Sequence, residues 1–456
     1  MPPSATSALH TRIGRLVQVE PHELRPLLWS FTYFFSLLCG YYVLRPMRDA
    51  MGIAGGVEQL HWLFTGTFVA MLATVPLFGW VTSRFPRRRF LPYVYGFFIA
   101  NLLVFWALLD DDGANVVAAR AFFIWTSVYN LFVVSVFWSF MADLYTNEQA
   151  KRLFGFIAAG GTVGALAGPL VAATLAQLLG AATLLLVSAG FLAVAILCIR
   201  RLIASTEDAA PATSVRFEPV EPRTDAPRHG AEARPLGGGI LHAIPLVLRS
   251  PYLLGISLFM LLYTTSSTVL YFQQAQIVRD AFSSVEERAA VFAGMDFAVN
   301  ALTLGTQFFL TGRVVNALGV ARTLALVPAL LGIGFAALGV APALSVIVVV
   351  QVLRRAGDYA ITRPARELLY VVLGRDEKYK AKNFIDTAVY RAGDAVSAWA
   401  YAGLRALGLG LGGIAFLAVP LAALWTWLSY RLGRRQEALA GQPEDGGARW
   451  KTGTAR

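Results

Sequence analysis

Apolar stretches long enough to cross a lipid bilayer recur from one end of this chain to the other, and no other feature limits its fold so severely. A spanning helix needs about 20 mostly apolar residues. Every backbone N–H and C=O in it must be satisfied internally, which leaves only helices and closed barrels. The stretches here are continuous rather than short and alternating, which disfavours a barrel. With 56% hydrophobic and 15% charged residues among 456, the chain carries more apolar surface than a soluble core can use. The expected fold class is an all-α polytopic membrane protein. About twelve transmembrane helices are predicted, near residues 26–47, 61–81, 90–109, 118–142, 153–177, 180–202, 252–272, 290–312, 321–341, 343–370, 384–405 and 410–432.

Loop charges orient these spans. Basic residues collect at the N-terminus, in SRFPRRR (83–89), NEQAKR (147–152), the central linker, the segment holding Arg313 and Arg322, GRDEKYKAK (374–382) and RLGRR (431–435). The alternate loops carry little positive charge, and DDDG (110–113) is acidic. Positive loops stay in the cytoplasm, so both termini are expected there. The formal charge of +11 is then topology information, and no nucleic-acid partner is implied. The first 25 residues lack an apolar h-region, so no cleavable signal peptide is expected.

The linker 204–240 is rich in Pro, Ala, Gly and charge and has no periodic apolar face. It separates an N-terminal six-helix bundle, 26–203, from a C-terminal one, 241–433, followed by a cytoplasmic tail, 434–456. The halves echo each other: NEQAKRLFGFIAAGGTVGA after the fourth span parallels DEKYKAKNFIDTAVYRAGDA after the tenth. Six plus six spans about a cytoplasmic linker is a major-facilitator-like architecture, whose substrate site lies near the midplane between the halves. The arginine loop after span two resembles that superfamily's cytoplasmic signature, with Ser83 where an acid is usual.

Charge inside the spans is the second constraint. RRAGDYAITRPARE, 354–367, ends an apolar run with four arginines and two acids. On a regular helix Arg355, Asp358, Thr362 and Arg366 share one face. Tyr41, Arg45 and Arg48 form a face in span one, and Ser135, Ser139 and Asp143 one in span four. Thr387, Arg391 and Asp394 form one in span eleven, while span eight adds Asp296 and Asn300. Charges at such depth pair with one another or line a wet cavity. Bland readings exist for each: Arg48 and Asp49 at the extracellular interface, Asp143 clamped to Lys151 or Arg152, and arginines of span ten paired with Asp358 and Asp394. Planar guanidinium forks suit carboxylate or phosphate, so several on one cavity would favour an anion. Tyr41, Tyr42, Trp138, Tyr359, Tyr390 and Trp399 flank these faces and could stack on a ring or simply pack.

Four short motifs, in order, resemble the nucleotide transporters, or ATP:ADP antiporters, of plastids and intracellular bacteria. They are LRPMRD (44–49), FWSFMAD (137–143) followed by NEQAKR, PARE (364–367) and YRAGD (390–394). The resemblance implies transport roles for Arg48, Arg391 and Asp143, and a bacterial inner-membrane location. Span seven departs: the family's glutamate has no counterpart in YTTSSTVLYFQQ (263–274), and Arg48 stands where Lys is commoner.

The expected function is a secondary active transporter moving a nucleotide or related organic anion. The candidate contacts are Tyr41, Arg45, Arg48, Asp143, Arg355, Asp358, Arg366, Arg391 and Asp394. Asp143, Asp358 and Asp394 would hold arginines in place or move protons. No phosphate-binding G-x-x-x-x-G-K-[ST] loop is present, no nucleophile–base or metal-ligand spacing appears, and Cys39 and Cys198 sit in apolar runs. An enzyme, a cofactor and a metal are therefore not expected. The partners would be the bilayer and a small anion, with the chain acting as a monomer. Transport of a peptide-like or siderophore-type solute, and a non-transporting scaffold or sensor, are the alternatives.

Overall fold

In a computed structural model the described residues are 19–20, 22–84, 87–109, 115–208, 243–374 and 381–440. The predicted central linker from 209 onward, DDDG, most of GRDEKYKAK and the side chains of the 83–89 arginine loop lie outside them. The described chain is helical throughout its long elements: α1 (Leu24–Ala54), α2 (Leu60–Arg84), α3 (Arg87–Leu108), α4 (Val116–Leu144), α5 (Asn147–Leu179) and α6 (Thr183–Asp208). A short helix, Ala243–Arg249, precedes α7 (Pro251–Ala281), α8 (Val285–Phe309) and α9 (Thr311–Val340). Helix α10 runs Leu344–Gly357, passes through a π-helical turn, Asp358–Thr362, and continues as Arg363–Val371. Helix α11 has a π-helical turn, Ile385–Val389, and then Tyr390–Ala406, and α12 is Leu411–Ala440. Nine of the described helices are long and apolar enough to cross a membrane. This is the all-α polytopic fold that the apolar runs predict.

Helix starts follow ordinary capping chemistry. Asn115 Oδ1 accepts from Ala118 N–H at 3.0 Å at the start of α4. Thr146 and Gln149 bond each other's backbone reciprocally before α5, and Ser284 and Glu287 do so before α8. Each pairing satisfies amides that a helix start leaves open. Gly319, inside α9, has φ 74°, a left-handed value that glycine adopts without strain. The helix resumes with the Ala321 N–H donating to Glu437 Oε1 at 3.1 Å.

The residues pack as two compact units. Of the described residues, the first comprises those up to Asp208 with Tyr271–Ala301 and Ala398–Gly403. Its centre is aromatic: Phe34 stacks on Phe137 at 4.2 Å, and the Tyr33 and Tyr95 hydroxyls are 2.6 Å apart, so each buried phenol has a partner. Helices α1 and α5 approach closely because Gly160, Gly164 and Gly168 recur every four residues. A Cβ on Gly164 would lie 2.5 Å from the Phe35 carbonyl oxygen. Such small-residue faces let backbones meet where lipid supplies no hydrophobic drive. The second unit holds Pro235–Leu270, Leu302–Ser397 and 404–456. In it α9 and α12 pack backbone to backbone, a Cβ on Gly433 falling 2.3 Å from Ala321 Cα.

One ion pair fixes the start of α1 against α5. Glu23, 3% exposed, accepts from Gln149 Nε2 at 2.9 Å and from Arg152 NH2 and NH1 at 2.9 and 3.3 Å. Its own Oε2 also receives the Glu20 N–H at 3.0 Å. Burial pushes the Glu23 carboxyl up, but these donors outweigh it and hold the group below its ordinary value. The folded state thus favours the charged form. This stabilisation is complete above the ordinary carboxylate range and is lost as pH falls through the lowered value.

Two outcomes follow. Thermal unfolding of detergent-solubilised protein should show an acid-side loss of stability that shrinks in Glu23→Gln. Gly164→Val should cost about 1–3 kcal/mol by overpacking the α1–α5 contact, read as a lowered unfolding midpoint.

Candidate functional site

The second unit carries a dense set of charged residues on α10 and α11, two helices outside the nine that length and apolarity alone mark as spans. In the π-helical turn of α10 the Arg363 N–H bonds the Asp358 carbonyl, five residues back. That spacing brings side chains i and i+5 to one face. The Arg363 Nε donates to Asp358 Oδ2 at 3.1 Å, and the Tyr263 hydroxyl of α7 donates to the same oxygen at 2.9 Å. Asp358 is buried, while Arg363 is half exposed and stacks over the Tyr359 ring at 4.3 Å. Turns of this kind are rare and cluster at functional positions. The single face drawn from Arg355 through Arg366 on regular spacing is therefore re-registered at Asp358–Thr362. Arg355 is half-buried on the turn before it.

The neighbouring arginines are held differently. Arg354 donates to Gln351 Oε1 and Ser267 Oγ, both at 3.2 Å, which are neutral anchors. Arg366 NH1 lies 3.1 Å from Met260 Sδ, and its NH2 lies 3.5 Å from Asp386 Oδ1. Asp386 belongs to the π-helical turn of α11. Arg391 NH1 is 3.7 Å from Asp394 Oδ2, and Thr268 Oγ1 donates to the other Asp394 oxygen at 3.4 Å. The Arg391 guanidinium also lies over the Tyr390 ring at 5.3 Å.

A second set lies in the first unit. Arg45 Nε is 3.7 Å from Asp296 Oδ2, and Arg48 NH1 is 3.6 Å from Asp49 Oδ1. The Tyr271 hydroxyl donates to Asp49 Oδ1 at 2.9 Å. Arg48 lies over the Phe123 ring at 4.1 Å. Tyr41 packs edge-on against Tyr42 at 5.3 Å, and Asn300 Nδ2 donates to the Ala165 carbonyl at 2.6 Å. Asp143 is exposed near the end of α4.

These pairs fall into two classes. Arg152–Glu23 and Arg363–Asp358 sit at 2.9 and 3.1 Å, the length of a charge-assisted hydrogen bond. The pairs of Arg48, Arg366 and Arg391 are 3.5–3.7 Å. In addition, Arg48 Nε and Arg366 Nε are buried with no hydrogen-bond partner. Their acids neutralise charge at depth without saturating the forks.

Reading on helical spacing missed Arg363, Tyr263, Tyr271, Glu23 and the placing of Asp386. Only the i+5 relation of Asp358 to Arg363 was visible in principle, and nothing in the residue types announces a π-helical turn. Outside these sets, α9 and α10 enclose an apolar cleft of about 400 Å³, lined by Leu330, Ile333, Gly334, Val349 and Leu353, with Arg354 at its end. Among the described residues no group of three or more His, Cys, Asp and Glu could hold a metal.

Comparison with known proteins gives the chain its relatives. Residues 27–360 match the family model of the Major Facilitator Superfamily. The ADP,ATP carrier protein 1 of Chlamydia muridarum is 23% identical over 90% of this chain and 88% of its own length, in keeping with the resemblance read from the motifs. A triacylglyceride transporter of Mycobacterium tuberculosis is 28% identical over 35% of this chain and 30% of its own. Among solved structures, the peptide-family transporter PepTSo aligns with a TM-score of 0.60 at 13% identity, covering 91% of this chain and 98% of that one.

The Asp358–Arg363 contact is open to a double-mutant cycle. Arg363→Ala strands a buried carboxylate and should lower stability more than Arg363→Ala combined with Asp358→Asn. The coupling should be about 0.5–3 kcal/mol in chemical unfolding.

Proposed function

We propose that this chain, which belongs to the Major Facilitator Superfamily, is a secondary carrier of a phosphate-bearing or related organic anion, with nucleotides first among candidates. That it is a membrane transporter follows from the family; the choice of substrate is our reading. The observation that carries it is the pair of buried, unpartnered Nε atoms on Arg48 and Arg366, beside carboxylates too distant to saturate them. A guanidinium in that state is charged, neutralised and still able to donate, which is what reversible anion binding requires. The carrier relatives from Chlamydia species support the nucleotide choice across nearly the whole chain.

In this reading Arg45 and Arg48, with Tyr41 beside them, offer anion contacts in the first unit. Arg355, Arg366 and Arg391 offer them in the second. Asp358 and Asp394 orient arginines, and Asp143 takes the role that its family counterpart holds. The protein works as a monomer in the bacterial inner membrane with both termini cytoplasmic, an orientation supported by the basic loops. The halves 26–203 and 241–433 act as its two bundles. A second reading is transport of an apolar solute, favoured by the cleft between α9 and α10 and by the triacylglyceride transporter match.

Counterflow in proteoliposomes separates the two. ATP, ADP and phosphate should exchange and triacylglyceride should not. Arg391→Ala and Arg355→Ala should each weaken anion affinity by about 1.5–3 kcal/mol, and lysine at either position should recover part of the loss. Wild-type exchange in both alanine variants contradicts the anion reading.

A further inference from the structure

Three buried polar atoms of the second unit lie among mutually interacting residues and lack hydrogen-bond partners: Arg366 Nε, Tyr370 Oη and Asp386 Oδ1. Arg366 and Tyr370 are four residues apart on α10, so they share a face. Asp386 meets them from the π-helical turn of α11. Its Oδ1 lies 3.5 Å from Arg366 NH2, and the charges of Asp386 and Arg366 both act on the Tyr370 phenol. Buried polar atoms are seldom left unpaired, and three together mark a place where a hydrogen or a small polar species is exchanged rather than a finished structural joint.

The other acids of α10 and α11 differ. Asp358 takes two donors at 2.9 and 3.1 Å on one oxygen and is almost wholly buried, so it is a strut. Asp394 receives the Thr268 hydroxyl. The Asp386 side chain is 27% exposed, and it accepts no short bond that would pin it. The charged groups facing it are Arg363, Arg366 and Glu367 on α10 and Lys382 on its own helix. Lys382 in turn contacts Glu367 and lies over the Tyr370 ring at 5.8 Å.

We propose that Asp386 is the proton-carrying group of this transporter, and that its protonation transfers Arg366 from carboxylate to substrate anion. The proposal rests on the anion reading above. A proton from the aqueous phase bonds to an Asp386 carboxylate oxygen and leaves a neutral acid. The ion pair to Arg366 is lost, and the guanidinium, still charged, donates its N–H groups to the entering anion. When the anion departs, the proton returns to water on the other side and the pair re-forms. One positive charge on Arg366 is thus always matched by one negative charge, either the carboxylate or the substrate, which keeps the site near neutrality at depth. Tyr370, its hydroxyl unpaired here as Asp386 Oδ1 is, donates to that oxygen once Arg366 has turned to the anion.

The test uses full-length protein in proteoliposomes, with ADP as the probe, in two arms. One measures counterflow without a pH gradient, and the other measures ADP accumulation with a gradient imposed in either direction. Wild-type protein should accumulate ADP under one gradient. Asp386→Asn should lose the stimulation by the gradient entirely, with counterflow reduced but measurable, while Asp386→Glu should retain the stimulation. Tyr370→Phe should shift the pH dependence of accumulation without abolishing counterflow. A third arm needs no substrate: infrared spectra of the purified protein should show a protonated-carboxyl band that fades as pH rises and is missing in Asp386→Asn. Undiminished stimulation in Asp386→Asn, or its absence in an exchanging wild type, overturns the proposal. If no ADP exchanges at all, the anion reading fails. The infrared arm then decides whether Asp386 carries a proton: a band unchanged in Asp386→Asn overturns that as well.

Discussion

A guanidinium cannot sit in hydrocarbon with its charge uncompensated, and this protein is arranged around that cost. Desolvating one ion costs several kcal/mol even after relaxation, and Arg45, Arg48, Arg354, Arg363, Arg366 and Arg391 each have an acid, a hydroxyl or an aromatic face nearby. What distinguishes them is how completely the partner satisfies the fork. Arg152 and Arg363 are bonded at hydrogen-bond length to buried carboxylates. Arg48, Arg366 and Arg391 are only neutralised, at 3.5–3.7 Å. The first kind fixes helices in place. The second leaves N–H groups ready for a ligand.

The backbone makes the second kind available. Two π-helical turns, Asp358–Thr362 and Ile385–Val389, interrupt the helices that carry Arg354, Arg363, Arg366, Arg391 and Asp394. Each inserts a residue into the α-helical ladder and turns the following side chains by a fraction of a turn. In α10 this turns Arg363 back onto Asp358 and leaves Arg366 to face α11. Elsewhere the packing is tight and regular. The glycines at 160, 164 and 168 let α5 meet the α1 backbone, and Gly433 does the same between α9 and α12.

Nine of the twelve predicted spans match described helices long and apolar enough to cross a membrane, because lipid imposes a length and an apolarity that composition must meet. Hydropathy predicts a first span at 26–47, and α1 runs Leu24–Ala54, since LRPMRD continues the helix past the apolar limit. The charged clusters were legible as clusters, because ionised residues in apolar runs are conspicuous. Their pairings were not. Regular spacing predicts i+3 and i+4 neighbours, which recovers Arg391–Asp394 but misses Arg363–Asp358 across a π-helical turn. Glu23 with Arg152 and Tyr271 with Asp49 are separated by 129 and 222 positions in the chain, and no local pattern points to them. Asp386 has no arginine three or four residues away, and only the neighbours that folding gives it set it apart.

The central claim is that unsaturated guanidinium groups hold an anion. It is tested most directly by the thermal stability of purified protein with ADP, with inorganic phosphate and with adenosine, which keeps the base but carries no negative charge. A ligand that binds only the folded state raises the unfolding midpoint in proportion to its affinity and concentration. ADP should raise the midpoint strongly and phosphate weakly, adenosine should leave it unchanged, and Arg366→Ala should erase most of the ADP effect. Stabilisation by adenosine equal to that by ADP, or an ADP effect that survives Arg366→Ala intact, would contradict the account.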